Sequence, residues 1–349
     1  MEYLKEFEES LSQHPDSEWD FYDISDLAEY IFGAPLNSVN DCNLNKLDDL
    51  DVILAERAED SRKYLETYNE HTCGVRLRFQ TDSDYIVLKA QIKRPWAYTN
   101  MNIYNSHGFD LYCENAQGKI QHRTVIAPCE GQRIFAHSAT VVPNRAITLF
   151  FPNYNKVERL AIGVKKGKHI DKCPDYKISK PIIIYGNSRT QGASACRSGN
   201  AFMNIVSRTL DCDIINYSFS AACKGQKALA KIIAKHQMSA FIMDYNNNAS
   251  SVEDLKQTYQ PFYEIIRLAH PDIPIILING YNTDAFNKHI FDVYMEKKRN
   301  GEKVFLINLE ELFANKENIA FSIDNIHFMD EGMFAIADRI VNLLTPLLI

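Results

Sequence analysis

Residues Pro181-Ile-Ile-Ile-Tyr-Gly-Asn-Ser-Arg-Thr-Gln-Gly192 constrain this chain more than any other stretch. Ile182 to Tyr185 form a continuous apolar, largely β-branched run, the pattern of a strand buried on both faces of a parallel sheet. Gly186 and Gly192 bracket a turn, and Ala201, Phe202, Ile205, Val206 and Leu210 then recur at helical spacing. Ser188 therefore stands at a strand-to-helix turn, at the carboxyl end of a buried strand, where open α/β sheets bind ligands. Taken alone, the segment reads equally well as an ordinary βα turn capped by Ser188 or Thr190.

The rest of the chain changes period twice. Residues 1 to about 70 are polar and acidic, with helical spacing over Leu47 to Tyr68 through Leu50, Val52, Ile53, Leu54, Ala58 and Leu65. From Gly74 the period is two: Val75 to Phe79, Tyr85 to Ile92, Met101 to Tyr104, Gly108 to Cys113, Gln132 to Ala136, Arg145 to Phe151 and Leu160 to Val164 read as short strands between polar turns. That pattern predicts an antiparallel β-sandwich. The lysine-rich, Pro-containing run Lys165 to Tyr176 is the predicted connector, a solvated linker in preference to an anion-binding patch. Beyond it, strands at Ile182–Tyr185, Ile214–Tyr217, Ala240–Tyr245, Ile273–Asn279 and Val304–Asn308 alternate with helices at Ala201–Leu210, Gly225–His236, Val252–Ala269, Thr283–Arg299 and Gly332–Leu348. Such alternation predicts a parallel three-layer α/β domain. The expected division is an N-terminal extension packed on the sandwich (1–70), the β-sandwich (71–178) and the α/β domain (179–349).

Composition narrows the class. A 349-residue chain with 46% hydrophobic residues can bury two ordinary cores, and its formal net charge of −7 leaves no basic footprint for nucleic acid or anionic lipid. The acidic start Met1-Glu-Tyr-Leu-Lys-Glu-Phe-Glu-Glu lacks the basic and apolar regions of a secretion signal, and no run approaches a membrane span. Cys42, Cys73, Cys113, Cys129, Cys173, Cys196, Cys212 and Cys223 are scattered without metal-ligand spacing, so reduced thiols in the cytoplasm are the simplest expectation. A homo-oligomer is compatible with these data.

A serine nucleophile needs a base, an orienter for that base and donors for an oxyanion. Asp324-Asn-Ile-His327 lies between the last strand and the last helix, while Ala221 and Asn248 follow the second and third strands of the α/β domain. All can reach the same sheet edge. In order stand GNSRTQGASACRSGNAF, INYSFSAACKGQ, DYNNNAS and DNIHFMDEG, which resemble the four blocks of the SGNH hydrolases (GDSL-type esterases) over residues 181 to 349. Gly108-Phe-Asp-Leu-Tyr112 is similar to the GxDLY signature of the β-sandwich domain that precedes this hydrolase in a subgroup of esterases, and Pro152 to Val157 and Leu160 to Gly163 fit the same domain.

The resemblance implies a flavodoxin-like α/β/α SGNH domain after an antiparallel β-sandwich, with Ser188 as nucleophile, His327 as general base and Asp324 orienting it. It implies an oxyanion hole from the N–H groups of Ser188 and Ala221 and the side-chain amide of Asn248, and no metal or organic cofactor. Four positions depart from the family: Ala221 replaces glycine, Asn187 replaces aspartate, Phe328 replaces a proline and Arg189 replaces an aliphatic residue. Arg189 is thus a candidate contact for an anionic substrate, or else the partner of an acidic residue at the rim. Cys196, Cys223, His236, His270 and His289 read as packing or surface residues. The expected reaction is hydrolysis of a short acyl ester, notably acetyl, on a carbohydrate or small metabolite through an acyl-serine. The alternatives are acyl transfer on the same triad and a degenerate carbohydrate-binding or interaction protein.

Overall fold

The structure, a computed structural model, describes residues 14–15, 17–34, 44–48, 50–56, 58–281, 283–314 and 321–349. Two compact units are present: residues 1–46, 70–175 and 196–199 make up the first, and residues 47–69, 176–195 and 200–349 the second.

The first unit is built from short strands: β1 (Trp19–Asp23), β2 (Ile31–Phe32), β3 (Arg76–Thr81), β4 (Tyr85–Ile92), β5 (Phe109–Glu114), β6 (Ile120–Ile126), β7 (Ile134–Thr140), β8 (Ile147–Phe150), β9 (Val157–Lys165) and β10 (Ile170–Asp171). One sheet has the order β1-β9-β4-β7; the other runs β10-β3-β8-β5-β6, with β2 added to β3. Every pairing in them is antiparallel. Alternation sends Leu77 and Phe79 from one sheet and Ile86 and Leu88 from the other into a shared core. This is the expected sandwich.

Several local expectations differ from the structure. Met101 to Tyr104 is no strand: Asn102 Oδ1 accepts from Asn105 N at 3.0 Å and caps a single turn, Ile103–Ser106. The strand expected from Gln132 starts at Ile134 and runs on to Thr140. β6 escaped the sequence reading because its residues are mostly exposed and polar, so alternation is weak. Lys166 and Lys168 of the connector pair with Asp20 at 2.6 Å and Asp82 at 3.3 Å, and Ile170–Asp171 adds β10 to the sandwich.

The N-terminal extension also divides. β1 and β2 join the sandwich sheets, whereas residues 47–69 belong to the second unit. The single helix expected over Leu47 to Tyr68 is broken into Asp51–Leu54 and Ala58–Asn69. The Asn69 side chain bonds both the N–H (2.8 Å) and the carbonyl (2.9 Å) of Leu47, folding this piece back on itself. Ile53 and Leu54 are buried, and the Glu56 carboxylate accepts from the N–H of Ala228 in the first turn of helix Lys227–Ile233, where negative charge is favoured. Residues 1–13, 16, 35–43 (with Cys42), 49 and 57 of the extension lie outside the described residues. The other cysteines form no disulfide among the described residues.

The second unit has five parallel strands, β11 (Ile178–Gly186), β12 (Cys212–Ser218), β13 (Ala240–Asp244), β14 (Ile275–Ile278) and β15 (Val304–Ile307), in the order β12-β11-β13-β14-β15. That is flavodoxin-like topology. Neighbours on both sides bury Ile182 to Tyr185 completely, as the β-branched run requires. On one face Ile182 and Ile184 join a core with Phe202, Val206, Ile336 and Ile340 from helices Phe202–Leu210 and Asp330–Leu348. On the other, Tyr185 stacks on Phe262 of helix Val252–Ala269 with centroids 4.3 Å apart. The chain runs from β11 to β12 on one side and resumes at β13 on the other. The crevice left by such a reversal therefore opens at the carboxyl ends of β11 and β13. No helix among the described residues is long and apolar enough to cross a membrane.

Candidate active site

At that crevice β11 ends in Gly186 and Asn187, and Ser188 opens a one-turn helix, Ser188–Gln191. Asn187 caps the turn, its side chain accepting from Arg189 N at 2.9 Å, while its own N–H donates to the Asp244 carbonyl at 3.0 Å. Gly192 closes the turn at φ 101°, a left-handed conformation that favours glycine. Gly186 is required for space, since a Cβ there would lie 2.3 Å from Thr190 Oγ1.

Beneath the serine lies a polar cluster that the sequence reading did not single out. The Asp244 carboxylate, 1% exposed at the end of β13, accepts from Asn187 Nδ2 (3.2 Å), Arg189 Nη2 (2.7 Å) and Thr190 Oγ1 (2.7 Å). Burial pushes its pKa up, and the Arg189 guanidinium and the donated hydrogen bonds work against that rise. Asp244 and the Arg189 guanidinium form a buried ion pair at 2.7 Å. Gln191 Oε1 accepts from Ser220 N at 3.0 Å, and Asn216 Nδ2 donates to Thr190 O at 2.9 Å, so the turn is also bound to β12 and the loop after it.

Arg189 does not occupy the position expected of a substrate contact. It is 1% exposed, paired with Asp244, with its guanidinium carbon 5.5 Å from the centre of the Phe328 ring. Of the two expectations for Arg189, the structure shows the pairing with an acid, at a buried position in place of the rim.

The histidine arrives on a small closed loop. Ser322 and Phe328 form a bridge, the Ile323 N–H donates to the His327 carbonyl at 3.0 Å, and Asn325 takes a left-handed conformation at φ 64°. Asp324 Oδ1 accepts from the N–H groups of Ile326 (3.0 Å) and His327 (2.7 Å), and Oδ2 lies 2.6 Å from His327 Nδ1. Burial raises the Asp324 pKa, but its bonds to the His327 ring and to the two backbone donors outweigh that and hold it below the usual carboxylate value. Phe328 is fully buried and packs edge-on or tilted against Tyr281, Phe313 and Phe321. An aromatic anchor thus fixes the loop.

His327 Nε2 lies 2.9 Å from Ser188 Oγ. With Nδ1–H donated to Asp324, Nε2 is left as the acceptor for the hydroxyl proton, the geometry a nucleophile and base require. Ala221 is exposed and adopts φ 59°, and its N–H donates to no acceptor among the described residues. The Asn248 amide makes one long contact, Nδ2 to Phe219 O at 3.5 Å, which brings it beside the loop that carries Ala221. Asn246 is fully buried, with no partner for either end of its amide among the described residues. His236 and His270 are engaged in packing bonds to Tyr217 Oη (2.7 Å) and Ala234 O (3.0 Å). Among the described residues no group of three or more His, Cys, Asp or Glu side chains could hold a metal.

Residues 179–345 match the GDSL-like lipase/acylhydrolase family, and residues 34–170 match the GxDLY N-terminus of SGNH-type esterases. No curated protein sequence matches the chain. Among solved structures, a candidate GDSL-like lipase from Bacteroides ovatus superposes with a TM-score of 0.78 at 23% identity, over 94% of this chain and 97% of that one. A salicylyl-acyltransferase from a tetracycline biosynthetic pathway gives 0.76 at 16% identity, covering 96% and 98%. A family two carbohydrate esterase from Cellvibrio japonicus gives 0.58 at 12% identity, covering 94% and 97%. At these identities the likeness establishes the two-part fold.

Two expectations follow from the site. Arg189→Leu leaves the Asp244 charge buried and uncompensated, so it should cost about 3–5 kcal/mol of stability. At equal folded fraction it should affect neutral and anionic esters alike; a selective loss on anionic esters with an unchanged Tm would restore the substrate-contact reading. Ala221→Gly relieves about 1–2 kcal/mol of left-handed strain, offset by about 0.4–1 kcal/mol of added chain entropy in the unfolded state. Thermal unfolding should show a net gain of about 0–1.6 kcal/mol with turnover kept within a few-fold, and a clear destabilisation would contradict the assigned backbone conformation.

Proposed function

We propose that this chain, which belongs to the GDSL-like lipase/acylhydrolase family and carries the GxDLY-type N-terminus of SGNH-type esterases, hydrolyses short acyl esters of a carbohydrate or small metabolite through an acyl-serine intermediate. The observation that carries this reading is the relay from Ser188 Oγ to His327 Nε2 (2.9 Å) and from His327 Nδ1 to Asp324 Oδ2 (2.6 Å).

In this mechanism Ser188 Oγ attacks the ester carbonyl as its proton passes to His327 Nε2, and Asp324 stabilises the imidazolium so formed. The N–H groups of Ser188 and Ala221 and the Asn248 amide receive the developing oxyanion. The imidazolium then protonates the departing alcohol, leaving the acyl group on Ser188. Water, deprotonated by His327, attacks the acyl-serine; collapse returns the proton to Ser188 Oγ and releases the carboxylic acid. The sugar-ester substrate rests on the likeness to a carbohydrate esterase, and acetyl on the family resemblance. Acyl transfer is the second reading, favoured by the whole-length likeness to an acyltransferase. It differs only in the acceptor, a hydroxyl in place of water, and product analysis with candidate acceptors separates the two.

Turnover of p-nitrophenyl acetate tests the reading. Ser188→Ala should abolish it. Asn248→Ala should lower kcat by about 10²–10³ with little change in KM, as loss of one oxyanion donor does. Asn247→Ala should stay within a few-fold of wild type at equal folded fraction. Equal loss in Asn247→Ala and Asn248→Ala would remove Asn248 from the oxyanion hole, and an active Ser188→Ala would overturn the mechanism.

A further inference from the structure

The signature Gly108-Phe-Asp-Leu-Tyr112 has no part in the chemistry above, yet each of its named residues is committed. Leu111 is fully buried in the sandwich core. The other three gather around one short segment, Cys196–Gly199, which belongs to the first unit although the residues on either side of it belong to the second. Ser198 Oγ donates to the Gly108 carbonyl at 3.3 Å. Gly199 N donates to Asp110 Oδ2 at 2.9 Å, and Arg197 Nε lies 3.1 Å from the same oxygen, close enough for charge attraction. Arg197 Nη2 donates to Tyr112 Oη at 3.3 Å. His122 Nε2 stands 2.9 Å from Asp110 Oδ1, and the Asp110 side chain is fully buried. From the opposite side Asn153 Nδ2 donates to Ser198 O at 3.2 Å. The fit is close: a Cβ at Gly199 would lie 2.5 Å from Asp110 Oδ2 and 2.7 Å from the Tyr112 ring.

The strap leads directly to the reacting groups. Upstream along the chain stand Gly192 and the turn bearing Ser188. The residue immediately downstream, Asn200, donates from Nδ2 to Asp330 Oδ2 at 2.6 Å, and Asp330 begins the last helix just after His327. Both halves of the relay therefore continue into a segment whose middle is gripped by a buried carboxylate.

We propose that the GxDLY motif is the clamp of this strap and that Asp110 is a positioning residue for the ester chemistry, acting through Gly199 and Asn200 on the Ser188 turn and the His327 loop. The proposal rests on the esterase reading for its kinetic consequence but not for its structural one. Removing the buried carboxylate takes away the bond from Gly199 N and the attraction on Arg197, which loosens the strap, and displacements on the order of 1 Å at a nucleophile cost about 10²-fold in rate.

The test combines fluorophosphonate labelling of Ser188 with hydrogen exchange in wild type, Asp110→Ala, Asn200→Ala and the double variant. Asp110→Ala should slow labelling by about 10–10²-fold. It should raise exchange over 188–200 and 327–330 while the strands of the parallel sheet stay protected. Asn200→Ala should slow labelling too, and the double variant should be little slower than the worse single one, because both act through one strap. Labelling of Asp110→Ala at the wild-type rate, or a double effect equal to the product of the singles, would overturn the proposal. A wild type that does not label would instead count against the esterase reading, and the exchange comparison would still decide the clamp. If Asp110→Ala does not fold, Tyr112→Phe removes the Arg197–Tyr112 bond alone and Arg197→Ala removes that bond together with the Arg197–Asp110 attraction, and the two carry the same comparison.

Discussion

The Asp244 carboxylate sits fully out of water at the end of β13 and draws three side chains of the neighbouring turn onto itself. A buried charge is tolerated only when paired and hydrogen-bonded, so Asn187, Arg189 and Thr190 have little freedom to be elsewhere. Ser188 is the residue of that turn left over, half-buried and facing His327. The position of Ser188 is thus set by an electrostatic requirement beneath it. The same requirement accounts for a charged residue, Arg189, standing beside the serine.

The second constraint is the loop that delivers the histidine. Asp324 satisfies two backbone N–H groups of its own loop with one oxygen and orients the His327 imidazole with the other, so one carboxylate both orients the ring and folds the loop that carries it. Phe328 then anchors that loop in an aromatic cluster with Phe313 and Phe321.

Much of this was legible in the sequence, and the reasons are local. The run Ile182 to Tyr185 announces a doubly covered strand because both neighbours demand apolar side chains. Helix Val252–Ala269 has the bounds its pattern suggests, because Ser251 caps it by accepting from Asp254 N. The spacing of Asp324 and His327 shows in the sequence because both lie in one turn. What was hidden depends on distant partners. The sequence left Arg189 open between a substrate contact and the partner of an acid, because that acid, Asp244, lies 55 residues further along and becomes a neighbour only through the adjacency of β11 and β13. The break between helices Asp51–Leu54 and Ala58–Asn69 depends on the Asn69 clasp across 22 residues, and β6 presents too polar a face to stand out. The exchange of Cys196–Gly199 into the first unit has no sequence signal beyond Asp110 itself.

The central claim is that Ser188 becomes acylated during turnover. It is tested most directly by quenching the enzyme in acid during steady-state hydrolysis of an acetyl ester and reading peptide masses. The expected result is an acetyl group on the peptide containing Ser188, accumulating in wild type and absent from Ser188→Ala. Turnover with no acyl group on that peptide, or with the acyl group on another residue, would contradict it.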